Sequence, residues 1–388
     1  MFIEGDWVKA EGTTLGADNG LGVSAIMAIL ESNDIPHPAI EALFTVDEET
    51  GMTGAKGLDT EMLDGKILLN LDTEEDDEIG VGCAGGVDVT AIREYKVEEV
   101  PTNTAAYTIK IKGLSGGHSG MDINKGLGNA NKIMARLLLD SFVNFGLRIS
   151  EIDGGGLRNA IPRESRTWVV VDKITEDAFC MEMAQLAQTM QTEYRTTDPK
   201  LKIEISSIES VSGVMEIGVQ EGLIKALCAA HNGVYRMSPE IEDLVETSNN
   251  IARVKVNNGF ISVDCLTRSS VESTKLDLAN NLRATFELIG CTIEFNSDYP
   301  GWEPNMDSEI LSILKETYIE MFDDEPHIAA CHAGLECGLI GQHYPELDMI
   351  SFGPTILGAH SPDERACISS VRKFWDFLQE ILKRIPKK

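Results

Sequence analysis

The chain has 388 residues, enough for two domains of ordinary size. Apolar residues make up 43%, which supports a sizeable core and excludes disorder throughout. The 63 Asp and Glu outnumber the 33 Lys and Arg, and the net charge of −30 repels nucleic acid and anionic membrane surfaces.

Residues 1–87 alternate helix and strand patterns. From Leu21 to Leu30, the apolar Leu21, Ile26, Met27, Ile29 and Leu30 form one broad helical face. Ala42 to Val46 and Ile67 to Leu71 are continuous apolar runs bounded by charge, the pattern of parallel strands buried on both faces. Residues 88–298 change character, and alternating strands such as Tyr107 to Lys112 and Thr167 to Val171 suggest sheets with one covered face. Here RNAI (Arg158 to Ile161) precedes strand, helix and strand, and SNNI (Ser248 to Ile251) precedes the same order at similar spacing. As a repeat this makes a two-lobed module; ordinary α+β periodicity gives the same order. Residues 299–388 return to an α/β pattern, with a helix from Ser308 to Met321 and a strand from Met349 to Phe352. Ser361, Pro362, Asp363 and Glu364 read as the start of the last helix. The expected architecture is one α/β domain, built from 1–87 and 299–388, interrupted by an inserted α+β domain over 88–298.

No apolar stretch approaches the ~20 residues of a spanning helix. Met1 to Glu4 shows neither a basic start nor an apolar leader, which points to the cytoplasm. The eight cysteines contain no C-x-x-C pair and read as reduced, mostly buried small hydrophobes rather than a disulfide framework.

Acidic residues gather at predicted strand ends. Asp18 lies in GTTLGADNG before a helix, Glu48 and Glu49 follow EALFTV, and Asp72 ends KILLNL. Open α/β folds build their sites at such ends. Carboxylates gathered there repel one another unless each faces water or a cation joins them. Zinc accepts Asp, Glu and His ligands. Of two adjacent glutamates, one can bind metal while the other stays free as a general base. His360, in FGPTILGAH, offers an imidazole after another strand, and His118 sits in the glycine-rich GLSGGHSG. Arg268 in DCLTRSS suits a carboxylate, and Asn159 in GGGLRNAIP suits a carbonyl or an oxyanion. Cys331 precedes HAGLECG, which contains His332 and Cys337 and reads as a strand-to-helix turn more than as a metal site.

The motifs GTTLGADNG, TVDEETGMTGA, LLNLDTEE, GLSGGHSG, GGGLRNAIPRES, YPGWEPN, HAGLECG and GAHSPDE together resemble the aminoacyl-histidine dipeptidases. These are cytosolic di-zinc peptidases related to peptidase T and the acylases. The match runs from residue 12 to residue 364, nearly the whole chain. The resemblance implies an α/β, zinc-peptidase-like domain with a mixed, mainly parallel sheet and an inserted two-lobed lid. It implies Asp18 as the carboxylate bridging two metals, Glu48 as general base, and Glu49 with His360 as ligands of one metal. Asp72 is implied as a ligand of the other. His118 resembles the lid histidine that stabilises the oxyanion, and Asn159 and Arg268 resemble lid residues that hold the substrate backbone and its C-terminal carboxylate. The implied substrates are dipeptides, often with histidine second, such as carnosine. In smaller-lid relatives a partner subunit supplies the lid histidine, so a homodimer is one implied assembly; a second lobe could instead take the partner's place.

One family motif has no counterpart. A His-x-Asp segment should precede the GADNG loop, yet the first histidine is His37, followed by Pro38 and Ala39. The expectations are an N-terminally truncated catalytic sheet, an uncovered edge and one weakened metal site. The alternatives are an inactive binding module and an acylase of the same superfamily.

Overall fold

The computed structural model describes residues 1–386. The chain divides into two compact units. The first comprises Met1–Ala84, Pro239–Leu244 and the chain from Pro300 onward; the second comprises Gly85–Ser238 and Val245–Tyr299.

The first unit holds a four-stranded sheet in the order His327–Cys331, Glu78–Cys83, Asp348–Ser351, Ile67–Asn70. The two outer pairs run parallel, and the middle pair meets antiparallel at Ser351 and Gly80, so the sheet is mixed. Helix Ala17–Glu31 contributes Ala25 and Ile29 to the core, and helix Glu309–Phe322 contributes Ile310 and Leu314. Ser308 caps the latter helix, its hydroxyl accepting the Leu311 N–H at 3.0 Å. Helix Ile368–Arg384 lays Phe374, Phe377, Leu378 and Ile381 on one stripe, the i, i+3, i+4, i+7 spacing of a covered helix face. A second, antiparallel sheet joins Phe2–Glu4, Trp7–Lys9, Arg365–Cys367 and Ile356–Leu357.

Two expectations fail here. Residues 42–46 join no ladder, although their sequence reads as a buried strand, and Phe44 and Val46 are 49% and 67% exposed. A strand needs a neighbour for its N–H and C=O groups. Among the described residues Ile67–Asn70 pairs on one side only and offers residues 42–46 no partner. Helix Ala17–Glu31 departs from its predicted face in part: Ile29 is buried, whereas Met27 and Leu30 of that face turn to solvent, as does Val23. A groove of about 470 Å³ runs beside it, walled by Met1, Val8, Leu15, Leu21, Ile368 and Val371. The other failure is the last helix, which begins at Ile368 and not at Pro362. Arg365–Cys367 stays extended because it pairs on both sides, with Trp7–Lys9 and with Ile356–Leu357. Ser361 closes a turn instead, donating to the Gly358 carbonyl at 2.7 Å.

The second unit is built on one continuous antiparallel sheet. Its order is Lys202–Ile208, Thr104–Lys112, Ser165–Asp172, Arg148–Gly155, Val245–Asn257, Phe260–Ser269, Gly85–Glu94, Thr292–Tyr299. The first four strands and the last four mirror each other, and each half carries one strand–helix–strand unit from the sequence. These are Ser165–Asp172, helix Glu176–Glu193 and Lys202–Ile208, then Phe260–Ser269, helix Glu272–Glu287 and Thr292–Tyr299. The lobes fuse where Arg148–Gly155 pairs with Val245–Asn257. Gly155, at φ +74°, makes that junction: a Cβ there would lie 1.8 Å from the Ala252 carbonyl oxygen. Helices Ala130–Phe145, Glu176–Glu193, Ile217–Ala229 and Glu272–Glu287 cover the sheet through Leu137, Phe179, Leu223 and Phe286.

Candidate active site

In the first unit, Asp18, Glu49 and His360 come together, each offering one donor atom within 4.8 Å of the others. His360 Nε2 lies 2.9 Å from Asp18 Oδ2 and 2.8 Å from Glu49 Oε2. Asp18 opens helix Ala17–Glu31 with non-helical φ and ψ of −91° and 106°, and its peptide bond to Asn19 is cis. His360 takes a left-handed φ of +61°, a conformation that costs an L residue about 1–2 kcal/mol. The Glu48–Glu49 turn is tied by Asp47, whose backbone carbonyl accepts the Gly51 N–H at 3.1 Å.

Further carboxylates surround this trio. Burial pushes Glu48 up to about 7, helped by Asp72, Glu49, Glu336 and Asp18. Burial also pushes Asp72 up to about 7, with Asp18, Glu49, Glu336 and Glu74 adding to it. Glu74 and Glu336 are raised as well, chiefly by burial. Burial opposes the charge on His360, but Glu49 and Asp18 outweigh it and raise its pKa. Two carboxylates and an imidazole around one point, ringed by carboxylates lacking a countercharge, fit a divalent cation of the zinc class. Glu74 and Glu336 lie inside the motifs LLNLDTEE and HAGLECG, and neither ends a predicted strand, so sequence position alone does not single them out. The HAGLECG segment is a strand-to-helix connection, from His327–Cys331 to Glu336–His343. Cys337 is buried and accepts from Asn70 Nδ2.

Glu364 is the other unassigned carboxylate. It is 2% exposed and accepts backbone N–H groups from Gly16 at 2.9 Å, Ala17 at 2.7 Å and Asp18 at 3.3 Å. Burial raises its pKa, but these donors outweigh it and hold the carboxyl low.

In the second unit, His118 and Asn159 are neighbours. Gly117–His118 pairs with Ala160–Ile161, and the Ser119 N–H donates to the Asn159 carbonyl at 2.8 Å. His118 Nδ1 accepts the N–H groups of Gly120 and Met121, each at 3.2 Å. The proton of the neutral ring is therefore on Nε2, free to be donated. Burial and the nearby Arg268 lower the pKa of His118, against a smaller opposing effect from Asp122. Asn250, of SNNI, donates to the carbonyls of Arg158 at 3.1 Å and Ala160 at 2.8 Å, so one motif holds the turn of the other. Arg268 is 5% exposed, and its Nε has no hydrogen-bond partner among the described residues.

A mixed α/β unit with two carboxylates and an imidazole placed to hold a divalent cation has the form of a metal-dependent hydrolase. A model of peptidase family M20/M25/M40 matches residues 3–384, and the chain belongs to that family of metallopeptidases. It is similar to the cytosol non-specific dipeptidase of Escherichia coli (strain K12), at 40% identity over 387 residues, all of this chain and 80% of that protein. The crystal structure of the aminoacylhistidine dipeptidase from Vibrio alginolyticus superposes with a TM-score of 0.95 at 42% identity. It covers 100% of this chain and 79% of its own. The aminopeptidase PepT of Bacillus cereus, at 16% identity and a TM-score of 0.52 over 98% of this chain and 75% of its own, shares the fold.

Proposed function

We propose that this chain is a zinc-dependent dipeptidase acting on aminoacyl-histidine dipeptides such as carnosine, and that it works in the cytosol. The observation that carries the reading is the Asp18, Glu49 and His360 cluster with the half-buried Glu48 next to it in the chain. The names of the Escherichia coli and Vibrio relatives support the substrate class, and the former supports the compartment.

Asp18, Glu49 and His360 would hold a zinc ion, which when bound supplies Lewis acidity and a more acidic water. Glu48, with a pKa near 7, suits proton transfer: as the carboxylate it takes a proton from the attacking water, and as the acid it returns one to the leaving amine. His118 donates Nε2–H to the oxygen that gains charge as the carbonyl becomes tetrahedral. Its lowered pKa keeps it neutral, so donation requires no prior change of charge. Asn159 holds the substrate backbone and Arg268 the C-terminal carboxylate. In this reading the second unit is the lid. Asp72 with Asp18 would offer a second, weaker metal position, since the charged groups that raise Asp72, namely Asp18, Glu49, Glu336 and Glu74, are carboxylates.

The test is histidine release from carnosine with zinc dialysed out and then restored. Zinc-dependent turnover that disappears in Glu48→Gln is expected. No turnover of any dipeptide by the zinc-loaded chain sinks the reading.

A further inference from the structure

The Gly16–Asp18 backbone enters helix Ala17–Glu31 through a non-helical bend at Asp18 and Asn19, after which Asn19 Oδ1 caps the helix by accepting the Gly22 N–H at 2.8 Å. Upstream of that cap the N–H groups of Gly16, Ala17 and Asp18 need an acceptor from elsewhere, and Gly16, at φ +73°, has no side chain to supply one. Those groups are nevertheless satisfied. Both carboxylate oxygens of Glu364 do it, Oε2 taking Gly16 and Oε1 taking Ala17 and Asp18, from 346 residues away in sequence at Asp18. Glu364 is also four residues past His360, at the end of a tight loop. The Glu364 N–H donates to the Ser361 carbonyl at 3.1 Å, and Ser361 Oγ to the Gly358 carbonyl at 2.7 Å. One carboxylate thus joins the backbone that carries Asp18 to the loop that carries His360.

We propose that Glu364 is a positioning residue for the metal ligands Asp18 and His360, setting the separation of the two donor atoms by clamping the backbone of both loops. The inference rests on the metal reading above. Asp18 and His360 belong to opposite ends of the chain, and their ligand atoms meet directly at 2.9 Å, with Glu49 also contacting His360 at 2.8 Å. Those contacts are given up when the ligand atoms turn to a cation. The Glu364 bonds are to backbone and persist, so they keep the ligands at bonding separation through metal loss and uptake. Glutamine cannot replace it: one oxygen becomes an amide donor facing backbone N–H groups, which repel it.

Cobalt(II), added to the metal-free chain, provides the test, since its visible spectrum reports ligand geometry and its affinity is measured against a chromophoric chelator. Groups that orient metal ligands are typically worth about 10–100-fold in affinity. Glu364→Gln is expected to lose that much and to bind with an altered spectrum. Glu364→Asp, which keeps the charge but is one methylene short, is expected to fall between the two and serves if the glutamine variant does not fold. Native affinity and an unchanged spectrum in whichever variant folds overturn the proposal. A fall in thermal stability alone, with both readouts unchanged, also overturns it, because that is a backbone tie and nothing more. Failure of the native chain to bind cobalt overturns the metal reading itself, a separate outcome.

Discussion

The phenol oxygen of Tyr299 accepts a 2.8 Å hydrogen bond from Nη1 of Arg268, and no carboxylate among the described residues pairs with that guanidinium. A buried cation without an anion is costly, which is why the proposed reading gives Arg268 the substrate's C-terminal carboxylate. Tyr299 lies over Gly86, where a Cβ would come within 2.6 Å of the phenol oxygen. Tyr299→Phe leaves the ring and removes the acceptor. We expect KM for a free dipeptide to rise about three- to tenfold, the value of roughly one hydrogen bond, with kcat within about twofold. A dipeptide amide, which has no carboxylate for Arg268, is expected to be unaffected by the change. Equal losses on both substrates would contradict this.

Glu48→Gln removes the acceptor for the water proton and keeps the shape. Turnover is expected to drop about 10²–10⁴-fold, the usual worth of a general base, with metal content unchanged by elemental analysis. Loss of metal together with activity would make Glu48 a ligand instead.

Extensive dialysis followed by elemental analysis is expected to leave one zinc per chain. On the proposed reading Asp18, Glu49 and His360 are expected to retain it, and carboxylates around Asp72 without an imidazole are expected to hold a second ion weakly. Two retained ions would refute the asymmetry.

The ring of His118 is expected to titrate below the ordinary histidine value of 6.5 when followed by NMR, because burial and Arg268 disfavour its cation. Arg268→Ala removes a positive neighbour and should move the midpoint up. The folded chain resists a proton that the unfolded chain accepts at 6.5. This contribution to stability is therefore complete above 6.5 and lost as the pH falls through the lower, folded value. A midpoint above 6.5 would break the argument for a neutral donor.

Gly155→Ala should destabilise the second unit by about 3 kcal/mol or more, since the methyl meets a backbone oxygen at a positive φ. Thermal unfolding measures this; a midpoint within a degree of the parent would contradict the junction's tightness.

What the sequence disclosed depended on whether the determinant was local. Helix Ala17–Glu31, strand Ile67–Asn70 and the paired strand–helix–strand units follow from periodicity, and all are present. Asp18, Glu49 and His360 were found because each stands at an element's end within a motif, and the fold brings them together. Glu364 and Tyr299 were not found in these roles, because each acts through a contact that spacing does not encode. Glu364 was misread for a definite reason: Ser361, Pro362 and two acids make a good helix start, yet the long-range pairing of Arg365–Cys367 overrides it. Residues 42–46 failed the opposite way. Their strand pattern is sound, and what is lacking is a neighbour among the described residues.

The first and last strands of the second unit, Gly85–Glu94 and Thr292–Tyr299, are hydrogen-bonded neighbours, with Gly86 opposite Tyr299. The outer ends of this long excursion are therefore as close as those of a hairpin, although the chain returns once to the first unit at Pro239–Leu244. Closing such an excursion costs little more as it lengthens. Growth within either segment of the second unit therefore leaves the points where the chain departs and returns unchanged.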